Sequence, residues 1–91
     1  MFVWDPAKEQ ANVAKHGVSF DEASRAFLDP HRVIAKDVVH SLEKEERFFC
    51  FGIVDGAVLT VRFTWRDGTI RIFGAGCWRQ GRRRYEEAQE D

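Results

Sequence analysis

The sequence lacks the features of membrane, secreted and metal-binding proteins. No apolar run approaches the roughly 20 residues that a membrane-spanning helix needs, and the N-terminus has neither the basic start nor the apolar stretch of a signal peptide. The cysteines, Cys50 and Cys77, belong to no C-x-x-C pair, and the histidines at 16, 31 and 40 do not form a zinc pattern with them. We therefore expect a cytoplasmic protein with free thiols and with no metal, cofactor or membrane partner.

Lysine is absent from the most basic part of the chain, where arginine alone carries the positive charge. Residues 62–85 hold seven arginines and one carboxylate, a net charge of +6, whereas the rest of the chain has 7 basic and 14 acidic side chains, a net charge of −7. A basic zone on an acidic protein is typical of nucleic-acid binding, and the planar guanidinium suits contacts with phosphates and bases. The alternative is a solvated basic helix with acidic neighbours.

The predicted elements follow the order β-α-α-β-β-β-β-α. A strand at Phe2–Trp4 precedes a helix that Asp5 caps and Gly17 ends, and a capping box at Ser19 begins a second helix that runs to about Leu28. Strands are predicted at residues 32–36, 47–54, 57–65 and 69–75, with turns at 55–56 and 66–68, a polar loop at 37–46 and a closing helix at 80–89.

This order predicts an α+β fold, with a small curved antiparallel sheet packed against helices that lie on one face. The length predicts one domain over residues 1–91. The closing helix is basic at its start and acidic at its end, an order that opposes the helix dipole. This unfavourable order suggests that its arginines serve binding.

The first quarter of the chain carries a long motif, Phe2-x-Trp4-Asp5-x-x-Lys8-x-x-x-Asn12-x-x-Lys15-His16-Gly17-Val18-Ser19-Phe20-x-Glu22-Ala23. This motif resembles the opening signature of the BrnT family, toxins of type II toxin–antitoxin modules. Later landmarks of the family are similar to Glu46-Arg47 with Gly52, and to Asp67-Gly-x-Ile70-Arg71-Ile72 before an arginine-rich helix that ends in Tyr85-Glu86. The resemblance covers nearly the whole chain.

The resemblance implies a RelE-like fold and RNA cleavage that blocks translation. It also implies a cognate antitoxin of the ribbon-helix-helix type (BrnA-like), bound to the toxin in a 2:2 heterotetramer. The toxin would reach operator DNA only through this antitoxin. An acidic antitoxin segment that covers the basic zone would inhibit by occlusion, and its affinity would fall as salt rises.

The chain departs from the family pattern at Gly74-Ala75-Gly76, where many members have Ser-Ala-Arg. Arg79 is predicted to supply the missing cation, and Trp78 adds an aromatic surface. The departure leaves open a non-catalytic module that binds the antitoxin and takes part in operon autorepression. A nucleic-acid-binding domain without an antitoxin is a third reading.

RNA cleavage without a metal needs a base for the 2′-hydroxyl, positive charge for the phosphorane and a proton for the leaving 5′-oxygen. The candidates for catalysis are Arg47, Arg71 and Arg79, with His16 or Tyr85 as acid or base. The candidates for RNA binding are Arg62, Arg66, Trp65, Trp78, Arg82 and Arg83.

Several of these candidates have a structural alternative. His16 suits the C-terminus of a helix, where a cation is favoured. Tyr85 could instead pack against the sheet, and Arg71 could face solvent. At helical spacing at most two of the three arginines at 82–84 share one surface. His40 lies in the polar loop, where the sequence gives it little support as a site residue.

Overall fold

The computed structural model describes residues 1–90, and within them the predicted α+β class and order of elements are confirmed. The elements are β1 (Phe2–Val3), α1 (Pro6–His16), α2 (Phe20–Ser24), a 3-10 turn (Arg25–Leu28), β2 (Val33–Lys36), β3 (Phe48–Val54), β4 (Ala57–Arg66), β5 (Thr69–Gly76) and α3 (Arg79–Ala88). No helix in this part of the chain is long and apolar enough to cross a membrane.

Local side-chain bonds set the ends of the first two helices. The Asp5 carboxylate accepts the backbone N–H of Ala7 at 2.8 Å and so caps α1. Gly17, with φ at 71°, takes the left-handed conformation that ends this helix. The Ser19 hydroxyl oxygen accepts the backbone N–H of Glu22 at 3.0 Å and caps α2. The predicted starts of both helices are therefore confirmed.

The five strands form one open sheet in the order β1-β5-β4-β3-β2. The pairs from β2 to β5 are antiparallel, as predicted, but β1 runs parallel to β5, with Phe2 opposite Ile70 and Val3 opposite Arg71. The sheet is therefore mixed. The parallel pair is possible because the long stretch of chain between its strands provides the crossover that such pairing requires.

One face of the sheet carries the hydrophobic core. The α2 helix and the 3-10 turn cover this face, and Gly52 lets the turn approach closely, since a Cβ there would lie 2.3 Å from the carbonyl oxygen of Ala26. The largest apolar side chains that are completely buried in this core are Phe20, Cys50, Val61, Phe63 and Ile72.

The expectation that the helices share one face is wrong, because α3 packs on the opposite face. Gly81 of α3 lies against Thr60 and Phe51, and a Cβ at this glycine would lie 1.9 Å from the Thr60 hydroxyl oxygen. The physical reason is that β3 is apolar on both sides, with Phe49 and Phe51 facing away from Cys50. A strand of this kind needs cover on both faces.

Replacement of Gly81 by alanine should destabilise the protein, although alanine favours a helix by roughly 1 kcal/mol. The new Cβ would overlap the Thr60 hydroxyl and push α3 away from the sheet, so we expect the free energy of unfolding in urea to fall by about 1–3 kcal/mol. Thr60→Ala removes the overlapping atom and should relieve most of that loss in the double variant. Equal losses with and without Thr60→Ala would contradict this close approach.

Candidate nucleic-acid interface

Three arginines share the sheet face that α3 covers only in part. On β4, Arg62 and Thr64 alternate to the same side, and Thr64 lies opposite Arg71 on β5. Arg47, just before β3, also extends over this face, and its guanidinium carbon lies 4.4 Å from the centre of the Phe73 ring. We call this surface, defined by Arg47, Arg62 and Arg71, the arginine face.

A β-bulge provides the aromatic support for Arg47. The register of β4 and β5 shifts at Arg62, which leaves Phe73 without a partner on β4. Bulges re-aim side chains, often near active sites, and here the ring also lies 5.4 Å from the Lys8 ammonium of α1. Cation–π contacts position a guanidinium and leave its charge unneutralised. The bulge therefore gathers two cations around one ring.

The side chain of Arg47 carries an unused hydrogen-bond donor. Its Nε is buried and has no partner among the described residues. Its backbone, in contrast, is bonded, because the N–H donates to the Ser41 hydroxyl at 2.9 Å and the carbonyl accepts the N–H of Asp37 at 2.7 Å. An unpaired buried donor costs about 1–3 kcal/mol, and such groups in native proteins require an explanation. Because this atom is buried, an anion can reach it only if the Arg47 side chain moves.

A hollow of about 290 Å³ lies between the arginine face and α3. Arg84 borders it from α3, with its guanidinium carbon 5.0 Å from the centre of the Phe51 ring. Among the described residues that line this hollow there is no carboxylate, so a phosphate would meet only positive or neutral groups. We call it the Arg62 hollow, and its main lining residues are His40, Phe49, Arg62, Trp78, Gln80 and Arg84.

A larger hollow, of about 550 Å³, lies on the other side of Trp78. Arg79 and Arg82 line this Arg79 hollow together with Tyr85 and Glu86. The Glu86 carboxylate offsets part of the positive charge that a phosphate would meet there. The structure therefore separates Arg79 and Arg82 from Arg62, and the smaller hollow is the better candidate site.

Trp78 takes the place of a side chain at position 76. Gly76 lies opposite Thr60 on β4, which places position 76 on the same side of the sheet as Arg62. A Cβ at Gly76 would lie 2.6 Å from the Trp78 indole, which therefore fills that space. The His16 ring meets the indole edge-on, with centroids 5.1 Å apart. Two predicted site residues, His16 and Trp78, are thus in contact next to the arginine face.

Tyr85 is buried, and its hydroxyl donates to the Asp29 carboxylate at 2.6 Å. Burial, the larger cause, and the hydrogen bond to Asp29 together raise the pKa of Tyr85 to about 12. Burial raises the pKa of Asp29 as well, but hydrogen bonds from Tyr85 and from the backbone N–H groups of Ile53 and His31 outweigh it and hold the pKa below its ordinary value. The structure therefore favours the packing alternative for Tyr85, as a link from α3 to the loop after the 3-10 turn.

Three other residues predicted to bind RNA lie apart from the Arg62 hollow. Trp65 is half-exposed and packs edge-on against Phe63, with centroids 4.9 Å apart, at the end of the core face. Arg66 pairs with Glu45, with 3.3 Å between nitrogen and oxygen. Arg83 is exposed on α3.

Both cysteines are free thiols, as predicted, with Cys50 buried and Cys77 exposed. Burial raises the pKa of the Cys50 thiol to about 12, so this sulfur is unreactive at neutral pH. Within residues 1–90 no three His, Cys, Asp or Glu side chains come together as metal ligands would.

Two residues of the Arg62 hollow, Arg84 and His40, were not among the residues that the sequence predicted to be catalytic. A signal for Arg84 was present, because it lies three residues after Gly81 and next to Tyr85, both buried on α3. That spacing turns Arg84 toward the sheet. No comparable signal exists for His40, because its position depends on an irregular loop.

The fold and the arginine face define the class: a RelE-like α+β protein with a surface suited to a polyanion. The family model described as ribonuclease toxin, BrnT, of type II toxin-antitoxin system matches residues 4–81, and the chain belongs to this family. The protein is therefore a ribonuclease toxin with a protein antitoxin as its partner. The comparison with curated proteins gave no match.

The buried hydroxyl of Tyr85 gives a measurable pH dependence. Tyr85 is the only tyrosine, so tyrosinate absorbance reports this residue alone. The pKa of Tyr85 is about 12 in the folded protein and 10.0 in the unfolded chain. The contribution of the protonated Tyr85 hydroxyl to the free energy of unfolding is therefore complete below pH 10 and is lost as the pH rises toward 12. We expect little tyrosinate at pH 11 in the native protein but a full signal in urea. Asp29→Asn should lower the native midpoint, and a native midpoint near 10 would contradict the assigned contact.

Proposed function

We propose that this chain is a cytoplasmic endoribonuclease that cleaves RNA at the arginine face without a metal ion and so inhibits translation. The observation that supports this most directly is the Arg62 hollow, which Arg62 of β4 and Arg84 of α3 both line and where no described lining residue is acidic. The phosphorane carries more negative charge than the ground state, so fixed guanidinium groups stabilise the transition state selectively.

We assign phosphate contacts to Arg47, Arg62 and Arg71, which lie along one side of the sheet. The Phe73 ring supports the Arg47 guanidinium and leaves its positive charge unneutralised. Trp78 borders the hollow and exposes 37% of its surface, enough to stack on a base, a contact worth roughly 1–3 kcal/mol. His16, in contact with Trp78, is a candidate acid or base.

Arg79 and Arg82 are assigned a different role, because they line the other hollow. We propose that they contact RNA backbone away from the scissile phosphate. Their distance from the chemistry means that their loss should weaken binding more than it lowers the rate of cleavage.

We also propose that residues 1–91 act as a single toxin domain and that the antitoxin is a ribbon-helix-helix protein, BrnA-like, bound in a 2:2 heterotetramer. In this complex the toxin reaches operator DNA only through the antitoxin. The support is the charge pattern, since an acidic antitoxin segment would complement the +6 of residues 62–85 and occlude the arginine face.

One observation favours the alternative of a non-catalytic module that binds the antitoxin. Position 76, where the family often has arginine, is glycine here and lies under the Trp78 indole. The neighbouring Arg79 does not replace that cation in the Arg62 hollow, because it lines the other one.

Induced expression in cells that lack the antitoxin tests the proposal. The wild type should arrest growth with loss of intact RNA, and co-expression of the antitoxin should restore growth. Arg62→Ala and Arg71→Ala should each relieve the arrest, because the removal of one donor to a transition-state oxyanion costs roughly 10²–10³ in rate.

Arg25→Ala is the matched control. Arg25 pairs with Asp55 and has a half-exposed side chain, so its loss costs under about 1 kcal/mol of stability and should leave the arrest intact. Arrest that persists in both Arg62→Ala and Arg71→Ala would contradict the placement of the site. No arrest by the wild type, with the antitoxin still bound tightly, would favour the non-catalytic module.

A further inference from the structure

A histidine that lines the Arg62 hollow is held by a buried carboxylate. The Nδ1 of His40 lies 2.9 Å from one carboxylate oxygen of Asp37, and the other oxygen accepts the backbone N–H of His40 at 3.2 Å. The Asp37 side chain is only 5% exposed, whereas that of His40 is 52% exposed. Asp37 therefore fixes the imidazole from the protein side, and Nε2 makes no hydrogen bond among the described contacts.

The loop that carries this pair is bonded to the arginine face. The Ser41 hydroxyl donates to the Asp37 carbonyl at 2.7 Å and accepts the N–H of Arg47 at 2.9 Å. The backbone N–H of Asp37 donates to the Arg47 carbonyl at 2.7 Å. The Asp37–His40 pair is thus positioned by the same residue whose guanidinium lies on Phe73.

We propose that His40 is the general base of RNA cleavage in the Arg62 hollow, an assignment that rests on the proposed ribonuclease function. With Nδ1–H donated to Asp37, the lone pair of the neutral imidazole lies on Nε2. His40 Nε2 takes the proton of the ribose 2′-hydroxyl, and the 2′-oxygen forms a bond to phosphorus as the bond from phosphorus to the 5′-oxygen breaks. The 5′-oxygen takes a proton from water, and the imidazolium returns its proton to the hydroxide so formed. The products are a 2′,3′-cyclic phosphate and a 5′-hydroxyl.

Charged groups from three elements face this step. Asp37, from the loop, stabilises the imidazolium as it forms, and Arg62 of β4 and Arg84 of α3 stabilise the phosphorane. A carboxylate that orients a histidine for proton abstraction plays the same role in Ser-His-Asp sites. Asp37 is therefore a positioning residue, and its loss should change kcat more than KM.

His40→Asn removes the proton acceptor but can keep the hydrogen bond to Asp37. The asparagine amide can donate to the Asp37 carboxylate but cannot take a proton. With purified protein, EDTA and a fluorogenic single-stranded RNA, we expect kcat to fall about 10²–10⁴-fold with little change in KM. The acidic limb of the pH profile should disappear. Asp37→Asn should lower kcat with little change in KM, because the imidazole loses the carboxylate that orients it.

His31→Asn is the matched control, because His31 is exposed in the loop before β2, and it should keep wild-type rates. If the wild type cleaves RNA and His40→Asn has the same rate and the same acidic limb, the His40 assignment is overturned and the ribonuclease function stands. If the wild type cuts no RNA, with or without ribosomes, the ribonuclease function itself fails.

A binding measurement decides whether His40 faces the phosphate even without cleavage. In proton NMR spectra the three histidines give separate ring signals, and His40→Asn assigns one of them. At constant pH, addition of an uncleavable 2′-deoxy oligonucleotide should shift the His40 ring signal and leave the His31 signal unchanged, because His40 lines the Arg62 hollow and His31 does not. An unmoved His40 signal with the oligonucleotide bound would overturn the assignment.

Discussion

The amide of Asn12 is the contact on which the position of the candidate site depends. It is 9% exposed, it accepts the backbone N–H of Ala75 at 3.1 Å, and it donates to the carbonyls of Ala75 and Val18 at 2.9 and 2.8 Å. β1 pairs only with the first half of β5, so the second half of β5 has no neighbouring strand on that edge. The Asn12 amide bonds the backbone of Ala75 there, as a neighbouring strand would. It fixes α1 and the chain before α2 to the end of β5, next to the bulge at Phe73. Replacement of Asn12 would leave buried backbone groups without hydrogen-bond partners. Each such group lowers the stability of the fold by about 1–3 kcal/mol.

The two faces of the sheet divide the tasks of the molecule. One face holds the aromatic and aliphatic core under α2, and the other combines aromatic rings with arginines that have no acidic partner in the Arg62 hollow. The rings make this possible, because Phe51 and Phe73 support Arg84 and Arg47 through contacts that leave their charge unneutralised. A carboxylate in the same place would also have held an arginine, but it would have repelled a phosphate. The guanidinium groups of Arg47 and Arg84 therefore keep their positive charge on this surface.

Local chemistry made much of this fold predictable from the sequence. The caps at Asp5 and Gly17 and the alternating strands depend on near neighbours, and the structure confirms them. The parallel pairing of β1, the bulge at Phe73 and the side of the sheet that α3 covers depend on contacts between distant segments, which periodicity does not record. For the same reason the basic zone was predictable as a charge pattern but not as two hollows, one lined by Arg62 and the other by Arg79.

The proposed site requires that RNA phosphates bind the arginine face, whether or not the chain of the RNA also reaches the Arg79 hollow. The most direct test follows the arginine Nε–H signals of the ¹⁵N-labelled protein while an uncleavable 2′-deoxy oligonucleotide is added. We expect the signals of Arg47 and Arg62 to move as their guanidinium groups gain phosphate acceptors, and the signal of Arg25, which pairs with Asp55, to stay in place. Shifts confined to Arg79 and Arg82, with Arg47 unchanged, would contradict the assignment of the arginine face as the RNA-binding site.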